Sequence, residues 1–106
     1  MLKKDQVYFQ DAVSEILGDV GDLVIRKQID YGPHAISRFG MNGIVIRLSD
    51  KIERLINLTQ FKKEPEVEES IEDTLADIIG YAVLGLVMQK YGFPLPIKQK
   101  KDDLTP

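Results

Sequence analysis

The sequence has no cysteine and no tryptophan, and a single histidine, in 106 residues. Without thiolates there is neither a disulfide framework nor a cysteine zinc site, and His34 has no second imidazole with which to share a metal. No apolar run reaches the ~18 residues that span a bilayer. The opening stretch MLKKDQVYFQ lacks the apolar core of a secretory leader. Basic charge is not in excess either: 14 Lys and Arg face 17 Asp and Glu, a net charge of −3. The basic stripe that marks a nucleic-acid binder is therefore missing. These absences predict a cytoplasmic protein with no membrane and no nucleic-acid partner. Its chemistry must rest on carboxylates, lysine, arginine and hydroxyls.

What is present is an ordinary globular composition, 43% apolar and 29% charged, of a length that suits one domain over 1–106. Phe9, Val13, Ile16, Leu17, Val20, Leu23 and Val24 recur at helical spacing and predict a first helix over 5–30. Gly18 and Gly21 mark either a break in it or a close helix crossing. Gly32 and Pro33 in DYGPH end it. GPHAISRFGMNG then reads as an ordered loop, with Asn42 as a cap for the next helix. Ile44, Leu48, Ile52, Leu55 and Leu58 share one face of a second helix over 43–61. KKEPEVEES is a connection, and a third helix over 66–91, capped by Ser70 or by an acid near Glu66, stops at YGFPLP. The remainder, 92–106, reads as a charged, frayed tail. The expected fold is an all-α bundle of about three main helices. The segment Ile78–Met88 is apolar on nearly every side, so oligomerisation is expected to complete it, with Ile79, Val83 or Leu86 at the contact.

One feature needs compensation. Asp73 and Asp77 lie four apart, and Asp77 sits at the lip of that apolar segment, where an uncompensated charge is costly. At about 100° per residue, Asp50, Glu53 and Asn57 form one stripe of the second helix, with Arg47, Lys51 and Arg54 adjoining it. A short connection makes helices two and three antiparallel neighbours. If the acidic stripe faces helix three, Asp50, Glu53, Asp73 and Asp77 gather at one level. Their repulsion then calls for a cation, and oxygen-only ligands suit Mg²⁺ or Mn²⁺. The alternative is a solvated acidic face with Arg47, Lys51 and Arg54 forming salt bridges.

RLSDKIERLINL, followed about twenty residues on by DTLADIIGYAVL, resembles the MazG-like all-α NTP pyrophosphohydrolases. With KQIDYG upstream, it is similar in particular to their phage-associated relatives, the nucleotide-modification-associated domains. The family pattern is ExxE on one helix and ExxD on the next. Asp50 and Glu53 fall on the first pair and Asp77 on the final acid. Position 74 is Thr, so Asp73 stands in for the remaining acid. The resemblance implies Mg²⁺ held by Asp50, Glu53, Asp73 and Asp77, with Glu53 as the catalytic residue that orients water. The implied reaction takes a nucleoside triphosphate to a monophosphate and pyrophosphate, in a homodimer or homotetramer. Lys27, Arg47, Lys51 and Arg54 become phosphate contacts, and Asp30 and Tyr31 the base or sugar pocket. Asn57 and Tyr81 complete the expected substrate-binding set. A helical interaction module and a nucleotide-binding regulator without turnover remain the alternatives.

Overall fold

The computed structural model describes residues 6–61 and 70–98. Helix α1 spans Phe9–Tyr31, α2 Gly40–Gln60 and α3 Ile71–Tyr91, with a 3-10 turn at Ser37–Phe39 leading into α2. No strand occurs among the described residues, so the all-α expectation holds and NGIVIRL is helical. The connection around Pro65, the expected start of the third helix near Glu66 and the tail 99–106 lie outside the described residues.

The ends of the helices follow local chemistry. Gly32 and Gly92 adopt φ of 85° and 83°, where a side chain would be strained, and their N–H groups close onto the carbonyls of Gln28 and Met88. Ser70 caps α3: its hydroxyl accepts from the Asp73 N–H while the Asp73 carboxylate accepts from the Ser70 N–H. This reciprocal arrangement satisfies two donors that a helix start would otherwise orphan. Asn42 does not cap α2. The helix already begins at Gly40, whose φ of 59° lets the chain pass straight from the 3-10 turn into the helix.

Antiparallel packing of α2 on α3 is visible residue by residue. Arg54 meets Thr74, Lys51 meets Asp77, and Ile44 meets Gly85, so numbers fall along α2 as they rise along α3. Helix α1 meets α3 at Val24–Gly80 and Lys27–Asp77. Gly18 and Gly21 mark neither a break nor a crossing; α1 runs through both, and a Cβ at either would meet nothing within 4 Å. The close approaches fall instead on α3. A Cβ on Gly80 would lie 3.2 Å from Val24 Cγ2, and one on Gly85 3.6 Å from Ile44 Cγ2. Two glycines missing their side chains therefore let both neighbours approach the middle helix.

The enclosed core is thin. Val20, Ile36 and Ile44 are the buried hydrophobic residues among those described, and Thr74 is fully buried as well. Large apolar side chains remain open instead, from Phe9 at 79% to Leu86 at 62% exposure. Of the three residues expected at an oligomer contact, Leu86 is exposed, and Ile79 and Val83 are half-buried. A longer open stripe runs along α1 through Phe9, Val13, Ile16 and Leu17. Among the described residues, no helix is long and apolar enough to cross a membrane. The segment 92–98 is not simply a frayed tail: its apolar Phe93, Leu95, Pro96 and Ile97 wall a groove together with α1 and α3.

Candidate binding cleft

Asp77 is the hub of the site. It sits on α3 one turn after buried Thr74, with its side chain 16% exposed. Its Oδ1 accepts from Lys27 Nζ of α1 at 3.4 Å, and its Oδ2 lies 2.9 Å from Lys51 Nζ of α2. All three helices thus meet at one carboxylate, and two lysines supply the compensation that its position demands. The Lys51 side chain is mostly covered and the Lys27 side chain half open. A desolvated Lys51–Asp77 pair gains more from its geometry than an exposed one does.

The expected four-carboxylate cluster does not form. Helix α2 is rotated so that Lys51 and Arg54 face α3, while Asp50, Glu53 and Asn57 are exposed on the adjoining stripe. Opposite charges attract across the interface, so this rotation is favoured over one that faces acid with acid. Asp73 is diverted as well. Its carboxylate accepts from both the Ser70 N–H and the Ser70 hydroxyl, at 3.0 and 3.1 Å, and these bonds hold its pKa below the usual 3.8. It therefore does not stand in for an acid at position 74. That position belongs to Thr74, whose hydroxyl donates to the Ser70 carbonyl at 2.9 Å and accepts from Arg54 Nε at 3.3 Å. Among the described residues no group of three or more His, Asp or Glu is disposed to hold a metal ion. The residues present do not fit the four-ligand Mg²⁺ site.

What the helices enclose instead is a cleft of about 210 Å³. Val20, Leu23, Val24, Ile36, Gly80 and Leu84 form its apolar floor, and Lys27, Arg47, Gln28, Tyr31, Tyr81 and Asp77 its polar rim. Lys51 adjoins it through Asp77. Among the described residues its lining carries Lys27 and Arg47 against the single carboxylate of Asp77, although the chain as a whole is negative. An apolar floor under a cationic rim suits a ligand with a planar apolar part and an anionic part.

The expected substrate residues divide accordingly. Lys27, Tyr31, Arg47 and Tyr81 line the cleft, and Lys51 borders it. Asp30 and Asn57 are exposed and do not line it, and Arg54 is turned to Thr74. His34 lies in the loop, where its carbonyl accepts from the Arg38 N–H at 3.1 Å. Gln28 and Ile36 were not among the expected site residues. The spacing Val20, Val24, Lys27, Tyr31 points along α1 toward them, because a stripe that is apolar at one end and polar at the other marks where a core opens into a cleft.

Residues 27–88, more than half of the chain, match the family described as nucleotide modification associated domain 1. No curated protein and no solved structure matches the chain.

Proposed function

The chain belongs to the nucleotide modification associated domain 1 family, and from that premise we propose that it binds a nucleoside triphosphate in the cleft at Asp77. The observation that carries the proposal is the meeting of Lys27 and Lys51 at Asp77, with Arg47 lining the same cleft over an apolar floor. Phosphate oxygens take charge-assisted hydrogen bonds from such groups, and Arg47 can offer a bidentate one. Asp77 holds the two lysines in place before the ligand arrives, so less ordering remains to be done on binding. Tyr31 and Tyr81 line the same cleft and offer hydroxyls to the sugar or phosphates. Calorimetric titration with nucleoside triphosphates tests the reading. Saturable binding that weakens as salt is raised is the expected result, and no binding by any nucleotide refutes it.

Turnover is a second reading, which follows from the resemblance to MazG-like enzymes: Mg²⁺-dependent hydrolysis to a monophosphate and pyrophosphate. It is favoured by the state of Asp50 and Glu53. Both are exposed one turn apart on α2, flanking Lys51, with no ion pair to either among the described residues. Their place beside Lys51 leaves both open to a divalent ion arriving with the triphosphate. Pyrophosphate release, measured with and without Mg²⁺ or Mn²⁺, separates an enzyme from a nucleotide-binding regulator.

A homodimer or homotetramer belongs to the same proposal. Three buried hydrophobic side chains form little core, and the apolar stripe Phe9, Val13, Ile16 and Leu17 on α1 needs a cover. Light scattering at micromolar concentration should show more than one chain. A monodisperse monomer would remove this part of the reading and leave the cleft untouched.

A further inference from the structure

A second groove, of about 370 Å³, opens from the same floor as the cationic cleft. Val24, Gln28 and Leu84 line both, so the two spaces are immediate neighbours. Their chemistry is opposite. Apart from Gln28 at the junction and Lys98 at the far end, the groove is walled by apolar side chains. The segment after α3 supplies one whole wall, including its one aromatic ring, Phe93. This wall lies beyond residues 27–88, the part matched to the family.

We infer that the nucleobase of the bound nucleotide occupies this groove, with its face against Phe93 and an N–H of its edge donated to Gln28. The inference rests on the nucleotide reading above. A triphosphate anchored by Lys27 and Arg47 must send its base away from the charged rim, and the apolar groove adjoins that cleft across Val24, Gln28 and Leu84. Gln28 is held for the task. Its Nε2 donates to the Gly32 carbonyl at 3.1 Å, which fixes the amide plane and leaves Oε1 as an acceptor at the junction. Bases present amino or imino N–H donors on their pairing edges, and an aromatic face stacks on any of them. Phe93 therefore supplies affinity and Gln28 supplies discrimination among bases.

The test compares two probes on the full chain by calorimetry. Tripolyphosphate carries only the anionic part; α,β-methylene triphosphate analogues of the four DNA nucleosides carry both parts. The wild-type protein should bind at least one analogue more tightly than tripolyphosphate. Phe93→Ala should weaken that analogue roughly tenfold, in keeping with base–aromatic stacking, and leave tripolyphosphate binding unchanged. Phe93→Tyr should restore the loss, and Gln28→Ala should narrow the spread of affinities among the four bases. If wild-type protein binds tripolyphosphate and analogues equally, or Phe93→Ala leaves the analogue's affinity intact, the base site is wrong while the phosphate cleft stands. If Phe93→Ala weakens both probes alike, the effect is structural and the base site is again wrong. Failure of the wild-type protein to bind either probe overturns both readings together.

Discussion

Two stripes of α2, about 100° apart around one helix, meet different fates. Lys51 and Arg54 turn inward, to Asp77 and Thr74, and Arg47 reaches the cleft. Asp50, Glu53 and Asn57 stay in solvent. The composition of either stripe is unremarkable for a surface helix. Their difference is set by the facing helix, which presents one half-buried carboxylate and one buried hydroxyl. A carboxylate there draws the basic stripe in, because its two lysines offset the cost of removing it from water. The cleft is cationic for a related reason: Lys27 reaches Asp77 from α1, and Arg47 lines the same cleft from α2.

Charge reversal at the centre of the inward stripe is the strongest way to break this arrangement. Lys51→Glu would place a second carboxylate where the ammonium now lies 2.9 Å from Asp77. Destabilisation of about 2 kcal/mol is expected, between the exposed and fully buried limits for an ion pair. Nucleotide binding should fall by an order of magnitude or more. Urea denaturation and calorimetry check the two effects. Adding Asp77→Lys to this variant should recover much of the stability by restoring an opposite-charge pair.

Thr74→Val is a milder perturbation of the same face. The shape is kept, but the acceptor for Arg54 Nε and the donor to the Ser70 carbonyl are both removed. Thr74 is fully buried, so no water replaces them. A loss of about 1–2 kcal/mol in urea denaturation is expected. Thr74→Glu would instead offer Arg54 a carboxylate, at the cost of fitting a longer side chain into a closed position. Its stability relative to Thr74→Val measures whether an acid is tolerated where the MazG-like pattern has one.

Much of the architecture was legible because it depends on spacing. Helical periodicity, Gly32 and Gly92 as stops and Ser70 as a cap all act within a few residues of themselves. The antiparallel register was legible too: the short connection sets Asp50 level with Asp77, and the structure pairs Lys51 with Asp77. What failed was rotation. A shift of one residue leaves the register almost unchanged but turns α2 by a quarter turn or more, from its acids to its bases. Only the partner's charge decides between those faces. Asp73 failed for a local reason: three residues after Ser70, its carboxylate closes the capping box instead of reaching across to α2. The groove walled by Phe93 was not legible, since PLPI reads as a stop signal with no hint of what it folds against.

The capping carboxylate gives a smaller, pH-dependent effect. Two hydrogen bonds from Ser70 lower the Asp73 pKa from 3.8, so folding favours its ionised form. The sign follows: its contribution is fully present above the unfolded-state value and is lost as pH falls through the lowered folded-state value. Stability measured from pH 5 down to pH 2 should therefore decline less steeply in Asp73→Asn than in the parent. Equal slopes would show that the capping carboxylate carries no linkage.

The smallest structural effect is expected on the outward stripe. Replacing Asp50 by Asn and Glu53 by Gln together keeps size and helix while removing two exposed charges. Neither carboxylate has an ion pair among the described residues, so stability should stay within about 0.5 kcal/mol of the parent. Nucleotide binding without a divalent ion should also be unchanged, because the phosphate contacts proposed here are Lys27, Arg47 and Lys51. Any Mg²⁺-dependent gain in affinity, and any pyrophosphate release, should disappear in this variant if the exposed acids are where the ion enters. The comparison between the two stripes is then sharp: the inward one holds the ligand and the outward one brings the metal. Loss of metal-free nucleotide binding in the double variant would place the acids in the cleft and reverse that assignment. A Mg²⁺ response that survives both substitutions would take the divalent ion away from α2 altogether.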